Sequence, residues 1–224
     1  MARQPRLSLP GVVHFLVQKG HNGGAIARDP VDAEQLQRIL REAAREHRVA
    51  LHAFALLPGR LLVLGTPATA EGISRLMQAI GRRHAAAFNR RHGRSGALWD
   101  GRFQSTLVED GEPTLQVLAL IDADPAADGQ RPLASNRAHR CGGPRDPELV
   151  DPPAYWQLGN TPFEREARYR ERLVDALPEA AQLALQRALT RSAAYGSAAF
   201  VARMALLAGR ELQPRPRGRP PRAR

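Results

Sequence analysis

The chain has 224 residues, a formal net charge of +11 and 43% hydrophobic residues, enough for one domain with an appendage or two small domains. Its one cysteine, Cys141, excludes an internal disulfide and a thiolate zinc cluster, and reads as a small packed hydrophobe. No apolar run approaches the roughly 18 residues of a membrane span. The segment VVHFLV is too short, and too interrupted by Pro10, Gly11 and His14, for a signal peptide, so a cytoplasmic location is expected.

Gly11 to Lys19, rich in Val and bounded by Pro10 and Gly20, predicts a strand, followed by the polar loop HNGG at 21–24. Asp29 as cap, Pro30 in the first turn, and Asp32 and Glu34 beside the dipole mark the start of a helix with the stripe Leu36, Ile39, Leu40 and Ala43. Two strands follow, Val49–Leu57 and Arg60–Leu64, joined at Pro58-Gly59, where Pro presets φ and Gly tolerates its positive value. A second helix covers about Glu71 to His92, with Ile73, Leu76, Met77, Ile80, Ala87 and Phe88 on one face. A fourth strand is predicted over Phe103–Val108 and a third helix over Glu112–Ala123.

This order predicts an α+β fold: a ferredoxin-like antiparallel sheet with helices on one face, over residues 1–125. Residues 126–160 are Pro-, Gly- and Asp-rich and read as a loop-rich crossover. Residues 161–209 read as a helical C-terminal region. Thr161 and Glu164 form a capping-box signature, Pro178 to Thr190 forms a second helix, and Ser197 caps a third that points Phe200, Val201 and Met204 inward and stops at Gly209. Residues 210–224 have no periodicity and read as a disordered basic tail.

The charge is clustered. Between Glu71 and Arg102 seven Arg stand against two acids, and at 100° per residue Arg75, Arg82, Arg83, Arg90 and Arg94 share a face beside the apolar stripe. A basic strip flanking a packed face suits phosphate contacts along a sheet edge, whereas an ordinary solvated face carries Glu among its Arg. Trp99 and Phe103 bracket Arg102. An aromatic beside Arg can stack on unpaired bases, although a single loop Trp is more often a core plug. The tail holds six Arg and one Glu, and its Arg217-Gly218-Arg219-Pro220 has the form of an AT-hook, in which extended Arg side chains such as Arg217 and Arg219 enter the minor groove. DNA is the expected partner, single-stranded or hairpin, with no membrane partner.

The runs PGVVHFLVQKGHNGGAIARD, LHAFALLP, AAFNRRHGRSGALWDGRF and LVED resemble the REP-associated tyrosine transposases, a branch of the single-tyrosine HUH transposases of bacterial insertion sequences. Further along, SNRAHRCGG, DPPAYWQLG, YGSAAF and GRELQPRPRGRP have the look of that branch, so the resemblance spans nearly the whole chain. It implies a bacterial, nucleoid-associated protein, acting as a monomer or a homodimer. It also implies a chemistry in which a His-hydrophobic-His pair holds Mg or Mn against the scissile phosphate. There a helix-borne Tyr forms a 5′-phosphotyrosine link to single-stranded DNA, and a polar residue four positions later completes the metal site.

Carried over residue by residue, that machinery is absent. The pattern Pro-Asn-His-x-His falls on Pro58, Gly59, Arg60, Leu61 and Leu62, the nucleophile position on Leu120, and the third polar position on Asp124. No catalytic residue, metal ligand or metal cofactor is therefore expected. Arg60 puts a fixed cation where the family has a metal, a position from which it could grip a phosphate. Three readings compete: a DNA-binding protein without catalysis, an active single-strand transposase using other residues, and an inert relic whose charge reports only ancestry.

Overall fold

The computed structural model describes residues 7–123, 132–174, 177–209 and 211–212. Its elements run β1 (Val13–Lys19), α1 (Pro30–Glu46), β2 (Val49–Leu57), β3 (Arg60–Pro67), α2 (Gly72–Arg91), β4 (Gln104–Val108), α3 (Glu112–Asp122), β5 (Ala134–Ser135), α4 (Arg137–Arg140), α5 (Pro153–Trp156), α6 (Pro162–Val174), α7 (Glu179–Arg191), β6 (Ala194–Tyr195) and α8 (Ala198–Ala208). The first seven follow the predicted order. The sheet reads β5-β2-β3-β1-β4-β6, antiparallel throughout except for the parallel β4–β6 pair. The α+β class expected from the sequence stands, and the four central strands have the ferredoxin-like order.

Local chemistry explains the element ends. At α1 the Asp29 carboxylate accepts the Asp32 N–H at 3.0 Å, while the Asp32 carboxylate reaches back to the Arg28 N–H at 2.9 Å. At α6 Thr161 Oγ1 accepts the Glu164 N–H at 3.2 Å and Glu164 accepts from the Asn160 N–H at 2.9 Å. Ser197 caps α8 through the Phe200 N–H, and Gly209 closes it in the left-handed conformation.

The expectation of helices on one face needs correction. Helices α1 and α2 share one face, packed on Leu16, Phe54, Leu56, Leu61 and Val63. The other face, built by Phe15, Val17, Ala55, Leu62 and Leu64, is covered by α3 together with α5, α6 and α7. The reason lies in the strands themselves: VALHAFALL and RLLVLG are apolar at nearly every position, so neither face can be left to water. The C-terminal third is thus part of the packing of the sheet, and the two outermost strands, β5 and β6, also come from beyond residue 125.

A β-bulge interrupts β2 between Leu51 and Ala53, leaving His52 without a partner on β3. The extra residue changes the alternation, so that Leu51, Phe54 and Leu56 all enter the same core. The His52 ring donates from Nδ1 to the Val150 carbonyl at 2.6 Å, and its Nε2 lies 2.7 Å from Thr66 Oγ1.

The bulge also aims the His52 carbonyl at Arg140, whose guanidinium donates to it. Arg140 is fully buried, pairing with Asp122 at the end of α3 at 3.2 Å and with Asp151 before α5 at 2.9 Å. Tyr169 of α6 donates its hydroxyl to Asp122 at 2.7 Å, and His139 and Arg145 close on Asp151 at 3.4 Å and 2.7 Å. Burial pushes the Asp122 carboxyl up, against the pull of Arg140 and Tyr169. Burial also raises Asp151, but His139, Arg140 and Arg145 outweigh it and hold that carboxyl below its usual range. Strand, helices and loops from distant parts of the chain are joined at one guanidinium.

The predicted tail, with Arg217 and Arg219, and the third polar position, Asp124, lie outside the described residues. Among the described residues no helix is long and apolar enough to cross a membrane.

Replacing Arg140 by Met leaves Asp122 and Asp151 buried without their shared cation. Urea denaturation is expected to show a loss of about 3–5 kcal/mol, the range for breaking a buried pair from one side; a loss below about 1 kcal/mol would show that the clamp does not hold the fold together.

Candidate functional site

Two surfaces meet at one end of the sheet, where β1 stops, the β2–β3 hairpin turns and β4 starts. The loops there are tied by backbone bonds: Gly20 N–H to the Gly59 carbonyl at 2.8 Å, Ile26 N–H to the Pro58 carbonyl at 2.6 Å, His21 N–H to the Leu98 carbonyl at 2.9 Å and Asp100 N–H to the Lys19 carbonyl at 2.9 Å. Gly20 is required for this convergence, since a Cβ there would sit 1.9 Å from the Gly24 carbonyl oxygen.

Helix α2 runs beside this end and carries the predicted basic strip. Arg75, Arg82 and Arg90 are exposed, as is Arg102 in the following loop, and none of the four makes an ion pair among the described residues. Arg83 differs: it pairs with Glu46 of α1 at 2.6 Å. The acid missing from its own helix is supplied by the neighbouring one. Arg91, which was outside the predicted strip, binds Asp29 through both terminal nitrogens at 2.9 and 2.8 Å and Asp32 at 2.5 Å, locking α2 onto the start of α1.

Arg94 and Trp99 are committed to the fold. The Arg94 guanidinium lies 5.6 Å from the Phe88 ring centre and donates to the Ala97 carbonyl at 3.2 Å. The Trp99 indole N–H donates to the Gly81 carbonyl at 3.0 Å, its ring centre is 5.8 Å from that of His84, and it packs against the α1–α2 core. This is the geometry of a plug beneath the loop.

The second surface is a chamber on the opposite face of the sheet, of about 850 Å³, between the strands, α3 and the α6–α7 pair. Arg60, Leu62 and Leu120, the three described positions onto which the resemblance carries the catalytic groups, all line it. Leu62 and Leu120 offer only alkyl surface, and Arg60 offers a cation. This donor set does not fit a divalent metal, which needs carboxylate, carbonyl or imidazole donors. Among the described residues no group of three or more His, Cys, Asp and Glu could hold a metal.

Among the described residues, the tyrosines and the strand histidines are engaged in the fold. Tyr169 is buried against Asp122, which raises its phenol well above the ordinary value. Burial also raises Tyr155 and Tyr195, and the Tyr195 hydroxyl donates to Gln116 at 2.5 Å. Of the strand histidines, His14 is fully buried, with Nδ1 on the Val12 carbonyl at 2.7 Å and its pKa lowered by burial to about 4. His52 is held in the bulge, and burial lowers its pKa. Cys141 is half-buried, and burial raises its thiol.

The sequence did not announce Lys19 and Gln104 as site residues. Register puts them there: Lys19 faces Arg60 across β1–β3, Gln104 faces Val17 across β1–β4, and all of these line the chamber. Directly opposed residues on neighbouring strands point to the same face, so the strand ends, once placed, are the signal that finds them. The pair Glu112–Arg172, at 2.8 Å, joins α3 to α6 across the far side and required the tertiary packing to be seen.

Among solved structures the chain is similar to a REP-associated tyrosine transposase bound to a REP hairpin, at 16% identity over 58% of this chain and 75% of that one, with a TM-score of 0.47. It is also similar to a proposed transposase from Deinococcus radiodurans, at 22% identity over 54% of this chain and 96% of that one, with a TM-score of 0.39. No family model matches the chain, and no curated protein matches it.

Truncating Trp99 to Ala removes a packed ring and its hydrogen bond. The expected loss in urea denaturation is roughly 3 kcal/mol; a stacking platform lying free on the surface would cost less than about 0.5 kcal/mol.

Proposed function

We propose that this protein binds DNA, single-stranded or hairpin, through the exposed Arg of α2 and the adjoining loop, and does not cut it. The observation that carries the reading is the set Arg75, Arg82, Arg90 and Arg102: four exposed guanidinium groups without carboxylate partners among the described residues, on one helix and the loop after it. Ion pairing satisfies Arg83 and Arg91 with acids of α1, so the protein neutralises some of its Arg and leaves these four to solvent. Guanidinium groups spaced along a helix suit the phosphates of a nucleic-acid strand, which they position without reading sequence.

The reading that it does not cut is supported by the residue types at the positions the resemblance assigns to catalysis. Leu62 and Leu120 can neither hold a cation nor attack phosphorus, and the three tyrosines are packed with raised phenols. The competing reading, a transposase with a different active site, needs a nucleophile and a metal set that the described residues do not supply. The unspecific alternative, a relic with leftover charge, is separated by preference for particular DNA.

Affinity for a hairpin with a single-stranded flank, measured by fluorescence anisotropy from low to moderate salt, tests the reading. Each of Arg82→Ala and Arg90→Ala is expected to weaken binding and lower the salt slope by about 0.7–0.9 for each phosphate that is no longer neutralised. Unchanged affinity and slope in the Arg82→Ala, Arg90→Ala double variant, or equal affinity for any polyanion, would overturn it.

A further inference from the structure

We propose that the chamber bounded by the sheet, α3 and the α6–α7 pair is a binding site for an elongated amphipathic anion with the shape and charge of a medium-chain fatty acid. Its middle is apolar, walled by Phe15, Val17 and Leu62 from the sheet, Leu115 and Leu120 from α3, and Leu185 from α7. Its volume of about 850 Å³ lies within the roughly 300–1,000 Å³ range of small-molecule pockets, whose walls are mostly apolar with a few placed polar groups.

The polar groups are segregated along its length. Helix α3 runs back along the sheet from Glu112, so Glu112 lies at the Val108 end of β4, while Leu120 and Ala123 lie toward the end where Lys19, Arg60 and Gln104 stand. The lining residues of α3 from Glu112 to Ala123 span about 16 Å at 1.5 Å per residue. That matches an extended chain of roughly a dozen carbons, each 1.5 Å bond advancing about 1.3 Å.

Charge selects the head group. Lys19, the only lysine in the chain, makes no ion pair among the described residues and is opposed in register by Arg60, with the Gln104 amide one strand away. A carboxylate at that end meets an ammonium, and its chain follows the leucines inward. At the far end Glu112 and Arg172 neutralise each other at 2.8 Å. An unpaired nucleobase suits the chamber less well, because its edge needs hydrogen-bonding partners in the middle. There most walls are alkyl and phenyl; of the polar groups that line the chamber, Gln116 is engaged by the Tyr195 hydroxyl, Gln182 donates to the Leu177 carbonyl at 2.7 Å, and Thr190 donates to the Gln186 carbonyl at 2.8 Å, which leaves the Gln186 amide as the polar group of α7 on the wall.

The inference goes beyond DNA binding and does not depend on it, since the exposed α2 arginines take no part in the chamber. Isothermal titration of the full chain with decanoate, below its micellisation range, is expected to show one saturable site. Decylammonium is expected to bind at least tenfold more weakly than decanoate. Lys19→Met, on the rim, is expected to weaken decanoate roughly tenfold by removing the ammonium that meets the carboxylate. Leu120→Trp, which fills the apolar space next to the Lys19 end, is expected to abolish binding, with circular dichroism and the unfolding midpoint reporting that it is folded. Should that variant not fold, Lys19→Met and the decanoate-to-decylammonium ratio decide alone. No saturable site, equal binding of both amphiphiles, or an unchanged affinity in Lys19→Met would overturn the proposal.

Discussion

The sheet is apolar on both faces, and everything else in the molecule answers to that constraint. Strands such as VALHAFALL cannot leave one side to water, so α1 and α2 cover one face and α3 with the C-terminal helices cover the other. Arg140 fixes the second cover. It reaches the carbonyl of the bulged His52, pairs with Asp122 on α3 and Asp151 before α5, and through Asp122 meets the Tyr169 hydroxyl on α6. A buried cation shared between two carboxylates is costly to separate, so the C-terminal segment is held to the sheet at one point and packs outward from there. Between that clamp and the strand ends the described residues enclose the chamber.

The two faces divide the functional reading. On the α1–α2 side, ion pairs consume the Arg nearest α1 and leave Arg75, Arg82 and Arg90 facing solvent, which is the arrangement a phosphate backbone needs. On the other side the positions that the resemblance assigns to a metal and a nucleophile hold Arg60, Leu62 and Leu120, all turned into one apolar space. A site that performs phosphoryl transfer needs charge stabilisation at the reacting oxygen and a group to attack. This one offers a cation at its rim and hydrocarbon within. The positions that the resemblance assigns to catalysis thus line the chamber that we propose as a small-molecule site.

Much of the first half was legible in the sequence because its signals are local. The Asp29 cap, the stripe Leu36, Ile39, Leu40 and Ala43, and the place of the Pro58-Gly59 turn each depend on residues a few positions apart, although Gly59 does not take the positive φ expected of it. The bulge at His52 was not legible, since unbroken apolar strands carry no alternation to reveal a slip. Nor was the Arg140 clamp, which joins residues far apart whose charges read singly as surface groups. The role of Trp99 turned on the Gly81 carbonyl, 18 positions earlier, and Arg83 found its acid on another helix. The pocket positions Arg60, Leu62 and Leu120 were found through motif resemblance, whereas Lys19 required the β1–β3 register.

The central proposal is that the chain binds DNA through the exposed Arg of α2 and does not cut it. It is tested most directly by incubating the full chain with a labelled hairpin oligonucleotide bearing a single-stranded flank, in the presence of Mg²⁺ or Mn²⁺, and separating the products on a denaturing gel. The account predicts that binding is detected before denaturation, and that the oligonucleotide is then recovered intact and free of protein. A nicked strand, or a covalent protein–DNA adduct, would contradict it.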